Sequence, residues 1–210
     1  MSTSFTLPAA PPAAQSSHNP LIHGRRRYVC LQSLMKFHPS FDEVLRGIVR
    51  ADEEGVVILL KNSKQPGWMQ IVEGRIGEGL SQGERERIVF LEQMDYQEYL
   101  AVVCGADVNL DPYPFGGGVT VLESLACGVD VVTDAEMITV WTLADAWREE
   151  RGEARREEGG GVEMYVREAV TKAKEGSEVK ERRRGKAWEV LHERDDARLE
   201  WERFLKKVTR

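Results

Sequence analysis

No run of apolar residues in this 210-residue chain is long enough to cross a bilayer, so no membrane partner is expected. Positive charge is short as well. The net charge is −6, which stands against a general nucleic-acid binder, because neutralising phosphates takes a basic surface. Cysteine is rare and odd in number: Cys30, Cys104 and Cys127 all lie in apolar segments. They are expected to be reduced core residues of an intracellular protein, not a disulfide framework. No His/Cys pair has zinc-ligand spacing, so neither a metal nor another cofactor is expected. There is no internal repeat. Residues 1–27 lack acidic groups and apolar periodicity and are rich in Ser, Ala and Pro, as a disordered segment would be. Their Ser-rich start and Arg25–Arg27 end read either as an organelle-targeting segment or as a linker stub.

What is present suffices for one domain: 41% of the residues are hydrophobic. Five apolar runs read as strands: Tyr28–Gln32, Val56–Leu60, Ile88–Leu91, Asp107–Leu110 and Val131–Thr133. The continuous run VVILL is what a strand covered on both faces needs. Helices fall between them. One opens at Ser40 with Glu43 as its capping-box partner, and Phe41, Val44, Leu45, Ile48 and Val49 recur at helical spacing. A shorter one spans Trp68–Ile76. Asp95 and Glu98 cap a third, with Tyr99, Leu100 and Val103 facing inward. Val121–Cys127 is a fourth, stopped by Gly128. Strand–helix alternation calls for a parallel sheet with helices on both faces, with every strand C-terminal end on one rim. The loops Ser33–His38, Glu92–Asp95 and Asp111–Gly118 share that rim, where a ligand is expected. Beyond Thr133 the pattern is helical: Ala135–Arg151, a charged glycine-rich loop Glu153–Gly161, then Val162–Glu175, Glu178–Glu193 and Ala197–Val208. The run Arg182–Arg184 reads as a solvated helix face.

The chain turns on residues 106–133, ADVNLDPYPFGGGVTVLESLACGVDVVT. A strand enters a proline-punctuated turn, three glycines (Gly116, Gly117, Gly118) and a helix N-terminus. Glycine lets the backbone approach a ligand, the first N–H groups point outward, and the helix dipole favours an anion. A glycine triplet alone fits neither the dinucleotide nor the phosphate-loop fingerprint.

Three anchors in order are more specific: QSLMKFHP (Gln32–Pro39), LDPYPFGGGVTVLESLACG (Leu110–Gly128) and Arg-Gly-Lys-x-Trp (Arg184–Trp188). From Tyr28 to the C-terminus the sequence resembles the C-terminal catalytic lobe of the O-linked N-acetylglucosamine transferases, with their SPINDLY-like and bacterial relatives. The resemblance implies a Rossmann-like half of a two-lobed GT-B glycosyltransferase at 28–151 and a helical extension packing on it at 152–210. It implies a UDP-sugar donor, UDP-N-acetylglucosamine or, in the SPINDLY-like branch, GDP-fucose. The sugar passes to Ser or Thr of a protein without a metal, in the cytoplasm or nucleus unless the N-terminal segment directs the chain to an organelle.

Carried over by position, Lys36 is the catalytic lysine that pairs with the donor diphosphate, where developing charge needs a cation. Ser33 is a polar phosphate contact. Thr120 is a phosphate-contacting threonine beside the N–H groups of Gly118 and Val119, with Gly116 and Gly117 completing the loop. Glu123 falls on the carboxylate that holds the ribose hydroxyls. The sequence equally allows Thr120 to be a helix N-cap with Glu123 as its capping-box partner; the ribose role is preferred, since an acidic group near ribose recurs in such folds. Met94 to Tyr96 fall where backbone reads the base.

Two departures stand out. Gly128-Val129-Asp130 replaces the family's Gly-x-Pro, and Ile138–Trp147 lacks the family's arginine. No catalytic lobe precedes Tyr28, so the protein acceptor and a general base are expected from an N-terminal lobe outside this chain. The alternatives are a non-catalytic nucleotide-binding or interaction domain and another two-lobed transferase of glycogen-synthase type.

Overall fold

The computed structural model describes residues 22–61, 66–133, 161–176, 178–179 and 181–183. The expected disordered start (to residue 21), the helices Ala135–Arg151 and Ala197–Val208, most of Glu178–Glu193, the Arg-Gly-Lys-x-Trp element and Ile138–Trp147 lie outside them.

Five strands, β1 (Arg26–Cys30), β2 (Gly55–Leu60), β3 (Ile88–Leu91), β4 (Val108–Leu110) and β5 (Val131–Val132), form one sheet in the order β3-β2-β1-β4-β5. Every pairing is parallel, with Tyr28 opposite both Val57 and Val108. The strand order reverses between β1 and β4. Chains leave these two neighbouring strands in opposite directions and open a crevice at their C-terminal ends. β1 begins two residues before the expected Tyr28 because Arg26 and Arg27 pair with Gly55 and Val56.

The alternation of the strands sorts their side chains onto two faces. Tyr28, Cys30, Val57, Leu59, Val108, Leu110 and Val132 join one cluster, covered by α1 (Pro39–Ala51), α2 (Pro66–Gly77) and α6 (Gly161–Ala173). Val29, Val56, Ile58 and Val89 join the other, under α4 (Tyr96–Cys104) and α5 (Val119–Ala126). Between α2 and β3 a single turn, α3 (Gln82–Arg85), is closed by a Ser81–Glu84 capping box. The inward face of α1 is the one expected: Phe41, Val44, Leu45, Ile48 and Val49 are all buried.

The cap of α1 differs from expectation. Pro39 occupies the first turn, where its missing N–H is no loss. His38 is the N-cap, with Nδ1 accepting from the Ser40 amide at 3.3 Å. Glu43 instead pairs with Arg46 at 2.5 Å. The Asp95–Glu98 box on α4 forms as expected. Gly128 ends α5 at φ 74°, a conformation that favours glycine.

The cysteines need a correction. Cys30 is free and buried, and burial raises its thiol pKa. Cys104 and Cys127, however, form a disulfide, with Cα atoms 4.9 Å apart. Cys104 ends α4 and Cys127 caps α5. Two helices lying side by side on one sheet face bring those ends together, which linear spacing does not reveal.

Asp130 enters β5 buried, and its partners come from the tail. Lys172 Nζ is 2.9 Å and Arg183 Nη2 3.0 Å from its Oδ2. Within the basic run, therefore, Arg183 is no solvated residue but an almost fully buried one, bridging Asp130 and Glu175. Tyr165 of α6 is fully buried, its hydroxyl 2.9 Å from the Asp111 carbonyl and 2.6 Å from that of Val132. It fastens α6 over the ends of β4 and β5.

Candidate functional site

The loop after β1 and the loop after β4 meet at the crevice. The first contains a 3-10 turn, Leu34–Lys36, which lifts Lys36 over the second. Lys36 Nζ donates to the Gly116 carbonyl at 3.0 Å and to Gln32 Oε1 at 2.8 Å, and lies 4.9 Å from the centroid of the Phe115 ring. Two of the ammonium's three protons are thus directed to protein acceptors. Gln32 Nε2 in turn donates to Thr120 Oγ1. One chain of contacts, Gly116–Lys36–Gln32–Thr120, ties the lysine loop to the first turn of α5.

The glycine loop is held from below. Asp111, at the end of β4 and buried, accepts the Gly117 amide at 2.6 Å and the Thr133 hydroxyl at 3.2 Å. Burial pushes its carboxyl up to about 6, against the pull of these two donors and of the nearby Lys36 charge. A Cβ at Gly117 would stand 2.5 Å from Gln32 Nε2 and would overlap Thr120 Oγ1, so any side chain there would displace the Gln32–Thr120 contact.

Gly118 is the N-cap of α5 and offers no side-chain cap. Gly118 and Val119 are exposed, and no acidic residue occupies the first turn. The first N–H groups of a helix have no intrahelical acceptor, so these amides and the positive end of the dipole face outward for an anion. Thr120 sits inside the helix, not at its cap, because the helix starts two residues earlier than Val121. Glu123 does not reach back to it, so the capping-box alternative does not hold. The Glu123 carboxylate is buried and accepts the Tyr96 hydroxyl at Oε1 and the Tyr99 hydroxyl at Oε2, both at 2.8 Å. Burial first, then the Glu123 charge, raises the pKa of Tyr99.

Beside the glycine loop lies a cleft of about 570 Å³ lined by Met94, Tyr96, Tyr99, Val119, Thr120 and Glu123 among others. The structure therefore brings together Lys36, Gly116, Gly117, Gly118, Val119 and Thr120 around the glycine loop, with Met94, Tyr96 and Glu123 lining the adjoining cleft. Ser33 is exposed and makes no capping bond with its side chain. Gln32, Asp111 and Tyr99 were not singled out from the sequence. The first two stand in the anchor motifs, and Tyr99 is one helical turn from Tyr96. Among the described residues no helix is long and apolar enough to cross a membrane, and no group of three His, Cys, Asp or Glu could hold a metal ion.

The architecture matches solved structures across most of its length. A mutant O-GlcNAc transferase of Thermobaculum terrenum superposes with a TM-score of 0.70 over 90% of this chain and 35% of that one, at 21% identity. The chain shares with that part of the transferase its fold, a Rossmann-like α/β layer built on an all-parallel five-stranded sheet. A TarM mutant of S. aureus, solved with fondaparinux, alpha-GlcNAc-glycerol and UDP, gives 0.62 over 96% of this chain and 37% of that one, at 12% identity. The C-terminal CMP-Kdo binding domain of WaaA from Acinetobacter baumannii gives 0.54, with 81% of this chain against 91% of that one, at 17% identity. This chain thus spans little more than a third of the first two proteins and corresponds in extent to the isolated C-terminal domain of the third. No protein-family model matches the sequence. No curated protein matches it either.

Proposed function

We propose that this chain is the nucleotide-sugar-binding lobe of a protein O-glycosyltransferase, with UDP-N-acetylglucosamine as donor and Ser or Thr of a protein as acceptor. The observation that carries the reading is Lys36 reaching across to the glycine loop at the uncapped N-terminus of α5. A cation, outward amides and a helix dipole converge there on one point, next to a cleft with room for a nucleoside. The likeness to an O-GlcNAc transferase and to a protein solved with UDP supports the choice of donor.

In the proposed reaction the acceptor hydroxyl oxygen attacks the anomeric carbon. The bond from that carbon to the diphosphate oxygen breaks, and the nucleoside diphosphate leaves with the bonding electrons. Lys36 and the amides of Gly118, Val119 and Thr120 stabilise the charge that develops on it. The hydroxyl proton passes to a base supplied, with the acceptor site, by an N-terminal lobe. Ser33 adds a polar phosphate contact, Glu123 holds the ribose, and the backbone at Met94–Tyr96 reads the base.

Calorimetry of the purified chain with UDP, GDP and ADP tests the reading. Binding of UDP in the micromolar to millimolar range, tighter than GDP and ADP, is expected, because one lobe supplies only part of the contacts. Preference for GDP would point to a GDP-fucose donor. Equal heats for all three, or none, would overturn the nucleotide assignment.

A further inference from the structure

The Glu123 carboxylate is only 4% exposed, and each of its oxygens already accepts a phenol, Tyr96 at Oε1 and Tyr99 at Oε2. A carboxylate cannot donate, so a diol that is to bind it must find lone pairs on its cleft side. The two phenols differ in what it takes to move them. Tyr99 is half-buried against the second core cluster. Tyr96 is 52% exposed, occupies the first position of α4 and rests on Tyr99 with the rings 15° from parallel. Tyr96 and Glu123 both line the cleft, and the Tyr96 phenol occupies Glu123 Oε1 through one hydrogen bond while its ring rests on Tyr99.

We infer that Tyr96 is a specificity-determining gate on the ribose subsite: its phenol and the ribose diol compete for the same face of Glu123, and a nucleotide binds fully only when its two hydroxyls displace the phenol. This rests on the nucleotide-sugar reading of the cleft and adds a residue that selects among nucleotides by their sugar. A ribonucleotide returns two hydroxyls to the carboxylate for the one it removes, whereas a 2′-deoxyribonucleotide returns only one and gains little from opening the gate. Tyr99 keeps its bond throughout and fixes the orientation of the carboxylate. A gate closed for most of the time lowers the apparent affinity by the fraction of molecules in which it is open.

The test is calorimetry of wild type, Tyr96→Phe and Glu123→Gln with UDP and 2′-deoxy-UDP. Tyr96→Phe keeps the ring contact and removes the competing hydroxyl. It should tighten UDP by about tenfold, equivalent to about 1.4 kcal/mol, and leave 2′-deoxy-UDP within about threefold, equivalent to about 0.7 kcal/mol. Glu123→Gln should bring the two ligands close together. If Tyr96→Phe weakens UDP, or shifts both ligands alike while wild type binds UDP, the gate is wrong and the lobe assignment stands. If wild type binds neither ligand, the nucleotide reading falls and the gate with it.

Discussion

Lys36 Nζ and the carbonyl oxygen of Gly116, 80 residues apart in the chain, are 3.0 Å apart in space. The lysine is thereby held at the mouth of the glycine loop, and at the proposed diphosphate site positioning of this kind would remove reorganisation from the binding step.

Replacing that lysine should separate the diphosphate from the nucleoside. Lys36→Ala is expected to weaken UDP by about tenfold or more, since a hydrogen bond to a charged group contributes about 1.5–3 kcal/mol. Uridine should bind as before. Titrations of both ligands against the variant decide the matter; an equal loss for uridine and UDP would make Lys36 a purely structural contact.

Asp111 predicts a pH dependence of stability. Its carboxyl, ordinarily near 3.8, is pushed up to about 6 by burial, so the fold favours the protonated form. The contribution of Asp111 is therefore full below about pH 4 and is lost as the pH rises through about 6. At 1.36 kcal/mol per pKa unit the swing is about 3 kcal/mol. Urea unfolding of wild type and Asp111→Asn between pH 4 and 7.5 should show the two curves diverging by that amount. Parallel curves would mean that Asp111 keeps its ordinary pKa.

Asp130 should be a stability residue. It is buried between Lys172 and Arg183, and removing one partner of a buried ionic cluster leaves cations uncompensated. Asp130→Ala is expected to destabilise by about 3 kcal/mol, at the low end for a buried pair because Glu175 still faces both cations. The denaturant midpoint reads the loss. A change within about 0.5 kcal/mol, the range of ordinary surface substitutions, would show that the cluster contributes nothing.

How much of this was legible in the sequence follows from the range of the forces involved. VVILL of β2, the inward stripe Phe41–Val49 and the Asp95–Glu98 box are local patterns, and they appear where their spacing placed them. So does the rim that joins Ser33–His38, Glu92–Asp95 and Asp111–Gly118, because each of these loops follows a strand and all strands of a parallel sheet end on the same side. Local rules failed where a competitor stood one or two residues away. Pro39 moved the start of α1 back to His38, and Gly118 took the cap that the alternative reading gave to Thr120. They were silent on pairs made by packing. Nothing beside Asp130 foretells Lys172, nothing beside Cys104 foretells Cys127, and the grip of Tyr96 and Tyr99 on Glu123 exists only once α4 and α5 lie side by side.

Because every strand in the sheet runs the same way, the loops of the site are drawn from segments far apart in the chain and meet only after the sheet order β3-β2-β1-β4-β5 is complete. Such a topology is rich in non-local contacts, which slow folding. A ligand that binds the proposed site only in the completed sheet would add its free energy to the whole fold, about 2.7 kcal/mol at a hundredfold excess over Kd. On the proposed reading, a melting curve doubles as a binding assay.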